Sequence, residues 1–232
     1  NEMAHDIAEG RAGSALLVGA EAISTVRHLM SRGERPDWSE SVGGQLDDRG
    51  YGVDGLAGEA LVRHGATRPL PLYALFENAR RKRLGLDRDA YRLEMGRLFA
   101  PFTQVAAANP HAMSRRVYTA DELAEIGPGN RITCDPFPRR VVSRDQTNQA
   151  AALLLTSAGR ARALGVPAER WVYLHGGADV KERPAIDRPD LSASPAAIAA
   201  LRQALACAGV GFDDIGLIDL YSCFPIAVFN IC

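Results

Sequence analysis

Asp214-Ile215-Gly216-Leu217-Ile218-Asp219-Leu220-Tyr221-Ser222-Cys223-Phe224-Pro225 decides how this chain of 232 residues is read. An apolar run leads straight into Tyr, Ser and Cys, side chains that donate hydrogen bonds or act as nucleophiles. The run predicts a buried strand, and Pro225 predicts a helix start over Pro225 to Val228. A polar turn after the carboxyl end of a strand is where α/β enzymes hold ligands and chemistry.

The remaining segments supply neighbours for such a strand. Met3, Ile7 and Ala8 recur at helical spacing, Gly10 and Gly13 stop that helix, and Ser14 to Ala20 is a continuous apolar run. A continuous run predicts a strand covered on both faces, closed by Glu21-Ala22 before a helix-compatible stretch through Met30. Ser31 to Asp54 reads as a loop. Gly55 to Gly65, Leu72 to Leu84, Arg88 to Asn109 and Thr119 to Ile126 read as helices, the last with a Thr119/Glu122 capping box. A run of helices between strands suggests a lid over the carboxyl end of the sheet. Arg140 to Val142 reads as a strand edge, and Gln149 to Gly165 as an apolar segment followed by a helix, with Ala150 to Thr156 compatible with strand or helix. Trp171 to Leu174 predicts a second short strand. Ser194-Pro195 starts a helix whose stripe of Ile198, Leu201, Leu205 and Ala208 is expected to be buried, and Gly209 ends it. Alternating helix and strand predicts an α/β fold with a mostly parallel, layered sheet and right-handed crossovers.

Composition narrows the function. The formal net charge is -1, from 27 basic and 28 acidic residues, so no global field recruits nucleic acid or an anionic membrane. Arg80-Arg81-Lys82-Arg83 is a dense basic run that reads as a solvated helix face. Cys134, Cys207, Cys223 and Cys232 have neither C-x-x-C spacing nor a histidine pattern, so no metal site is expected and a reduced, cytoplasmic compartment is. No apolar run is long enough to span a bilayer. The first residue is Asn1, without a helix cap, and Ile231-Cys232 falls within an apolar segment. The expectation is the middle of a longer protein, with a fold incomplete at both ends.

Cys223 is either a thiolate nucleophile or a small buried hydrophobe, and no histidine lies near it in sequence to lower its pKa. Tyr221 and Ser222 are either hydrogen-bond donors to a thioester oxygen or enolate, or a strand end that satisfies backbone groups. His175-Gly176-Gly177 reads as a plain turn or as a close backbone approach to a ligand, and its spacing fits no phosphate loop. Asn109-Pro110-His111 and Arg115-Arg116 sit in the helical insertion, where the arginines are either solvated or paired with phosphates of a nucleotide carrier.

Several segments, in order, resemble the thiolase superfamily, in particular its sterol-carrier-protein-x branch. Asn1 to Gly10 is similar to the later half of the helix after the nucleophilic cysteine, and Ala15 to Ala22, with Gly19 and Glu21, resembles the strand that follows. Tyr73-Ala74-Leu75-Phe76-Glu77, Phe102 to Ala112 and Asn130-Arg131-Ile132 resemble the lid of that branch, and Gln149 to Thr156 the strand closing the first half. Asp213 to Phe224 aligns with the strand before the N-E-A-F motif, which is H-D-C-F in that branch. The resemblance implies a five-layered αβαβα fold with a mostly helical lid insertion. Residues 1–30 and 140–168 would belong to the N-terminal half, 31–139 to the insertion, and 169–232 to the start of the C-terminal half.

It further implies a coenzyme A thioester as substrate, no covalently bound cofactor, a homodimer or higher, and room for a small accessory acyl-CoA-binding partner. Tyr221 occupies the position of the motif's Asn or His, which holds a water or the thioester oxygen, and Ser222 stands where Glu or Asp would. Cys223 and Phe224 agree with H-D-C-F. Together these readings assign Tyr221 and Ser222 to catalysis and Cys223, Phe224, Asn109, His111 and Arg115 to substrate binding. Cys223 matches a packing position, and His175 precedes the motif, so it is not carried over. The nucleophilic cysteine would lie before Asn1, and the G-H-P histidine and second cysteine after Cys232, so residues 1–232 alone are expected to show no turnover. The activity implied is that of an acyl-CoA C-acyltransferase, acetyl-CoA acetyltransferase-like, in lipid or sterol metabolism. The alternative is a thiolase-like protein without thiolase activity, either a retro-aldol lyase or an acyl-CoA-binding subunit.

Overall fold

Two apolar stretches far apart in the chain, Ser14 to Ala22 and Asn148 to Thr156, find each other as one ladder in the computed structural model. It describes residues 1–41, 43–45, 59–66 and 68–232. In chain order the elements are α1 (Glu2–Ala8), β1 (Ser14–Ala22), α2 (Ile23–Ser31), α3 (Glu59–Arg63), α4 (Pro69–Arg83), α5 (Arg88–Ala108) and α6 (Ala120–Ala124). Then come β2 (Ile132–Cys134), β3 (Phe137–Pro138), β4 (Asn148–Thr156), α7 (Ala158–Ala163), α8 (Pro195–Ala208) and α9 (Pro225–Phe229). They fall into two units, residues 1–42, 144–180 and 200–216 in the first, and 43–143, 181–199 and 217–232 in the second.

In the first unit β1 and β4 pair antiparallel from Ser14 opposite Thr156 to Ala22 opposite Asn148. The parallel arrangement expected from alternating elements does not hold for this pair, because the long connection returns the chain in the opposite direction. Side chains lengthen the ladder at both ends. Thr25 N–H donates to Asn148 Oδ1 at 3.1 Å, Asn148 Nδ2 to Thr25 Oγ1 at 2.8 Å, and the Thr156 hydroxyl to the Gly13 carbonyl at 2.9 Å. Pairing also resolves Ala150 to Thr156, whose Ala and Leu are good helix formers, in favour of strand. The strand's expected cover on both faces is not supplied by described residues, and Leu16 is 66% exposed.

Gly176 and Gly177 are packed against the chain itself: a Cβ on Gly176 would stand 2.5 Å from the Ala204 carbonyl oxygen, and one on Gly177 would collide with the Asn1 amide. Their smallness serves close packing of protein on protein. Trp171 to Leu174 and Ile215 to Leu220, both expected as strands, run without a ladder partner among the described residues. A strand exists through its partner's hydrogen bonds, and apolar composition alone does not make one; Val172 is 94% and Leu217 89% exposed. Arg139–Val141 is a 3-10 turn where a strand edge was expected. The α8 stripe is also not buried as expected, since Ile198 and Leu201 are exposed and only Leu205 and Ala208 are half-buried.

The second unit holds the core. Ala74 and Phe76 of α4, Tyr91 and Met95 of α5, Leu123 of α6, Phe137 of β3, Val141, Phe224 and Ile226 form one buried cluster. The Thr119/Glu122 capping box is present, with Glu122 N–H donating to Thr119 Oγ1 at 3.1 Å and Thr119 N–H to Glu122 Oε2 at 2.9 Å. At the other end of α6, the buried Asn130 amide donates to the carbonyls of Leu123 and Glu125 at 2.9 and 2.8 Å, satisfying groups a helix end leaves open. The helix expected over Gly55 to Gly65 is found as α3, with residues 55–58 outside the described residues.

A carboxylate sits inside this core. Glu77 is fully buried; Tyr91 Oη donates to its Oε1 at 2.7 Å and Ile226 N–H to its Oε2 at 3.1 Å, so one side chain of α4 holds both α5 and the first turn of α9. Burial pushes the Glu77 carboxyl up to about 7, against the opposing effects of the two donors and of Arg80. Burial and the adjacent Glu77 charge push the Tyr91 phenol far up, so it remains a donor.

Two outcomes are expected. α5 and α6 touch at Gly96, where a Cβ would collide with the Ala120 carbonyl oxygen. Gly96→Ala should therefore lower stability by about 1–3 kcal/mol in urea unfolding, despite alanine's better helix propensity. The second concerns pH. With a folded-state pKa near 7 and an unfolded one near 4.5, Glu77 keeps in the fold a proton that the unfolded chain releases. Its contribution is complete below pH 4.5 and disappears as pH rises through 7. Between pH 4.5 and 7.5 the parent should lose about 3 kcal/mol more stability than Glu77→Gln, and equal pH slopes in the two proteins would contradict this.

Candidate active site

The Tyr221 to Phe224 segment is held from its C-terminal side. Phe224 is extended, at φ -142° and ψ 151°, and serves as N-cap residue of α9, with Pro225 in the first turn. Its buried ring stacks on Tyr73 at 4.5 Å between centroids with 23° between planes, and tilts against Phe137 at 5.3 Å. Ser143 N–H donates to the Cys223 carbonyl at 3.3 Å, and Ile226 N–H is bound by Glu77. Backbone and ring are thereby tied at Cys223, Phe224 and Ile226.

What the segment presents follows from this anchoring. Cys223 is half-buried and packs against the core cluster. Tyr221 is 72% exposed, and its hydroxyl lies 2.5 Å from Cys223 Sγ, the one hydrogen-bond contact of that phenol among the described residues. That hydrogen bond first, then burial, then the charges of Cys223 and Tyr73, push the Tyr221 phenol up to about 12. At neutral pH it is a donor, suited to an oxygen that gains negative charge and unsuited to removing a proton. Ser222 is half-buried, and its hydroxyl makes no hydrogen bond among the described residues.

Asn109, His111 and Arg115 lie exposed at and beyond the end of α5. Their bonds are local, Asn109 Oδ1 accepting from His111 N–H at 2.9 Å and Arg115 Nε donating to the Ala107 carbonyl at 3.3 Å. No hydrogen bond or ion pair among the described residues joins them to Tyr221, Ser222, Cys223 or Phe224. No described helix is long and apolar enough to cross a membrane.

Tyr73 and Glu77 are the residues that reading the sequence left without a role. A signal for them existed. Tyr73, Phe76 and Glu77 share one helical stripe, and an acid beside two aromatic residues on it asks for a buried partner.

No family model matches the chain, and no curated protein matches it. Solved structures do. A monomeric SCP2-thiolase-like protein type 1 (STLP1) from Mycobacterium smegmatis is 41% identical over 98% of this chain, with a TM-score of 0.79. An Ltp2-ChsH2(DUF35) aldolase is 20% identical over 98%, with a TM-score of 0.70, and an acetyl-CoA acetyltransferase from Syntrophomonas wolfei 15% identical over 98%, with a TM-score of 0.54. The last two likenesses concern the fold alone. The chain spans 43%, 52% and 56% of the lengths of these three proteins, about half in each case. With 41% identity sustained along almost all of its residues on a shared fold, the chain belongs to the thiolase-like superfamily.

Proposed function

We propose that the protein containing residues 1–232 acts on coenzyme A thioesters as an acyl-CoA C-acyltransferase of thiolase type, with Tyr221 as the hydrogen-bond donor to the thioester oxygen. The observation that carries this reading is the exposed Tyr221 phenol, fixed over Cys223 by an anchored turn at the motif position where thiolases hold that oxygen. In thiolysis or condensation the thioester oxygen gains negative charge as its carbon is attacked or as the enolate forms. A fixed donor there is worth about 10²–10³ in kcat. With its pKa pushed up to about 12, Tyr221 is protonated at pH 7, which favours donation over general-base work.

Ser222 supplies a hydroxyl where the family motif carries a carboxylate. Cys223 and Phe224 form the wall behind Tyr221, and Asn109, His111 and Arg115 are assigned to the polar, phosphate-bearing part of the substrate. The setting proposed is cytoplasmic lipid or sterol metabolism. The homodimer implied by the sequence resemblance is retained as a proposal, although the M. smegmatis relative is described as monomeric.

A second reading is retro-aldol cleavage of a 3-hydroxyacyl thioester, with a small accessory acyl-CoA-binding partner. Its support is that one structural neighbour is an aldolase complexed with a DUF35 chain and that Tyr221 is kept protonated. In that reaction a base takes the hydroxyl proton, the α–β carbon bond breaks as the β carbon becomes a ketone or aldehyde carbonyl, and the resulting thioester enolate takes a proton back at its α carbon. A protonated phenol suits the enolate stage.

Full-length protein supplied with a 3-ketoacyl-CoA plus coenzyme A should give two acyl-CoA products, and Tyr221→Phe should lower kcat about 10²–10³-fold with KM changed little. Parental turnover by Tyr221→Phe would overturn the role given to Tyr221. Cleavage of a 3-hydroxyacyl-CoA with none of the 3-keto substrate would select the second reading.

A further inference from the structure

We propose that Tyr73 of α4 is a second hydrogen-bond donor of this site, converging with Tyr221 on a single thioester carbonyl or enolate oxygen. The inference rests on the thioester reading above and deepens it.

α4 meets the site segment at two points one helical turn apart. Glu77 binds Ile226 N–H, and four residues earlier the Tyr73 ring stacks on Phe224. The edge of Tyr73 also meets Phe76, with centroids 5.9 Å apart and planes at 79°. These two contacts fix the ring, and with it the direction of its hydroxyl. Packing alone explains the ring and not the oxygen. Phenylalanine would make the same stack and the same edge contact, yet Tyr73 carries a half-buried hydroxyl with no hydrogen bond among the described residues. Two other tyrosines pack in or on this cluster: Tyr91 spends its hydroxyl on Glu77, and the ring of Tyr118 lies against the guanidiniums of Arg116 and Arg140, each 4.7 Å from its centroid. The Tyr73 hydroxyl is not among the buried polar atoms that lack a partner, so it is open at the candidate site and free to donate to an acceptor brought by a ligand.

The surroundings agree. Cys223, next to Phe224 in the chain, packs on the same cluster as Tyr73. Burial and the Cys223 charge push the Tyr73 phenol up, and Tyr73 in turn raises Tyr221, so the two phenols and the thiol share one neighbourhood. Arg188 acts on Tyr73 in the opposite sense. Its guanidinium lies 4.9 Å from the Phe76 ring centroid and is tethered by Nε to the Arg183 carbonyl at 2.8 Å. Burial and Cys223 outweigh it, so the Tyr73 phenol stays protonated at neutral pH and is able to donate. Oxyanion sites work through donors that converge, and Tyr221, already engaged with Cys223 Sγ, leaves room for a second.

The test uses full-length protein and three forms: parent, Tyr73→Phe and Tyr221→Phe. Tyr73→Phe keeps both ring contacts, so its thermal midpoint should match the parent's, while kcat on the thioester substrate falls roughly 10²-fold with KM within about threefold. A residue needed only for packing would leave kcat unmoved in this variant. Parental kcat in Tyr73→Phe with an impaired Tyr221→Phe overturns the assignment of Tyr73 and leaves the thioester reading standing. Parental kcat in both variants overturns the two donor roles together. A parent that neither turns over 3-ketoacyl- and 3-hydroxyacyl-CoA nor binds acetyl-CoA by calorimetry overturns the thioester reading, and the role of Tyr73 with it.

Discussion

The buried carboxylate of Glu77 is the interaction on which the second unit and its candidate site depend. It accepts from Tyr91 on α5 and from Ile226 N–H at the start of α9, so three elements distant in sequence meet at two oxygens. The helix-start amide is one that no intrahelical carbonyl can satisfy, and Glu77 supplies what the geometry of α9 cannot. Removing the carboxylate would leave two buried donors unpaired, each at a cost of about 1–3 kcal/mol. Arg80 moderates the charge from the next turn of α4, its guanidinium 3.8 Å from the Phe229 ring centroid and 3.5 Å by Nη1 from the Tyr91 hydroxyl. Among the described residues, Arg80 Nε on α4 and Asn230 Oδ1, just after α9, are buried polar atoms without a hydrogen-bond partner.

From this anchor the character of the site follows. Phe224 and Ile226 are immobilised by stacking and by the carboxylate, while Tyr221, three residues before Phe224, reaches solvent. The chain thus changes from packed to presented over three residues, the arrangement a donor needs if it is to hold its place without reorganising when a ligand arrives. Cys223 lies at the change, its carbonyl held by Ser143 and its sulfur under the Tyr221 hydroxyl. That placement agrees with a packing role for the cysteine and gives its sulfur a second use, orienting the phenol.

Much of this was legible in the residues, and what was not has a physical cause. Local signals were sound: the capping box at Thr119, the stops at Gly10 and Gly209, and the Pro225 helix start depend on neighbours within a turn and were read from sequence. Ser14 to Ala22 was readable as a strand, but its partner and direction were not, because pairing links residues more than a hundred positions apart. The same limit explains Trp171 to Leu174 and Ile215 to Leu220, which have strand composition without a ladder among the described residues. Tyr221 was visible through a motif. Tyr73 and Glu77 were named only as part of a lid-like segment; their stripe signals a buried partner for the acid, but that α4 meets the residues around Phe224 is set by tertiary packing that no spacing in the sequence announces.

The most direct measurement is residue-resolved amide hydrogen exchange at Ile226. An amide in the first turn of a helix has no helical acceptor and ordinarily exchanges quickly. If Glu77 anchors the site as described, Ile226 N–H is protected to the same extent as the core amide of Met95. Exchange at Ile226 as fast as an unprotected first-turn amide, with Met95 still protected, would contradict the account.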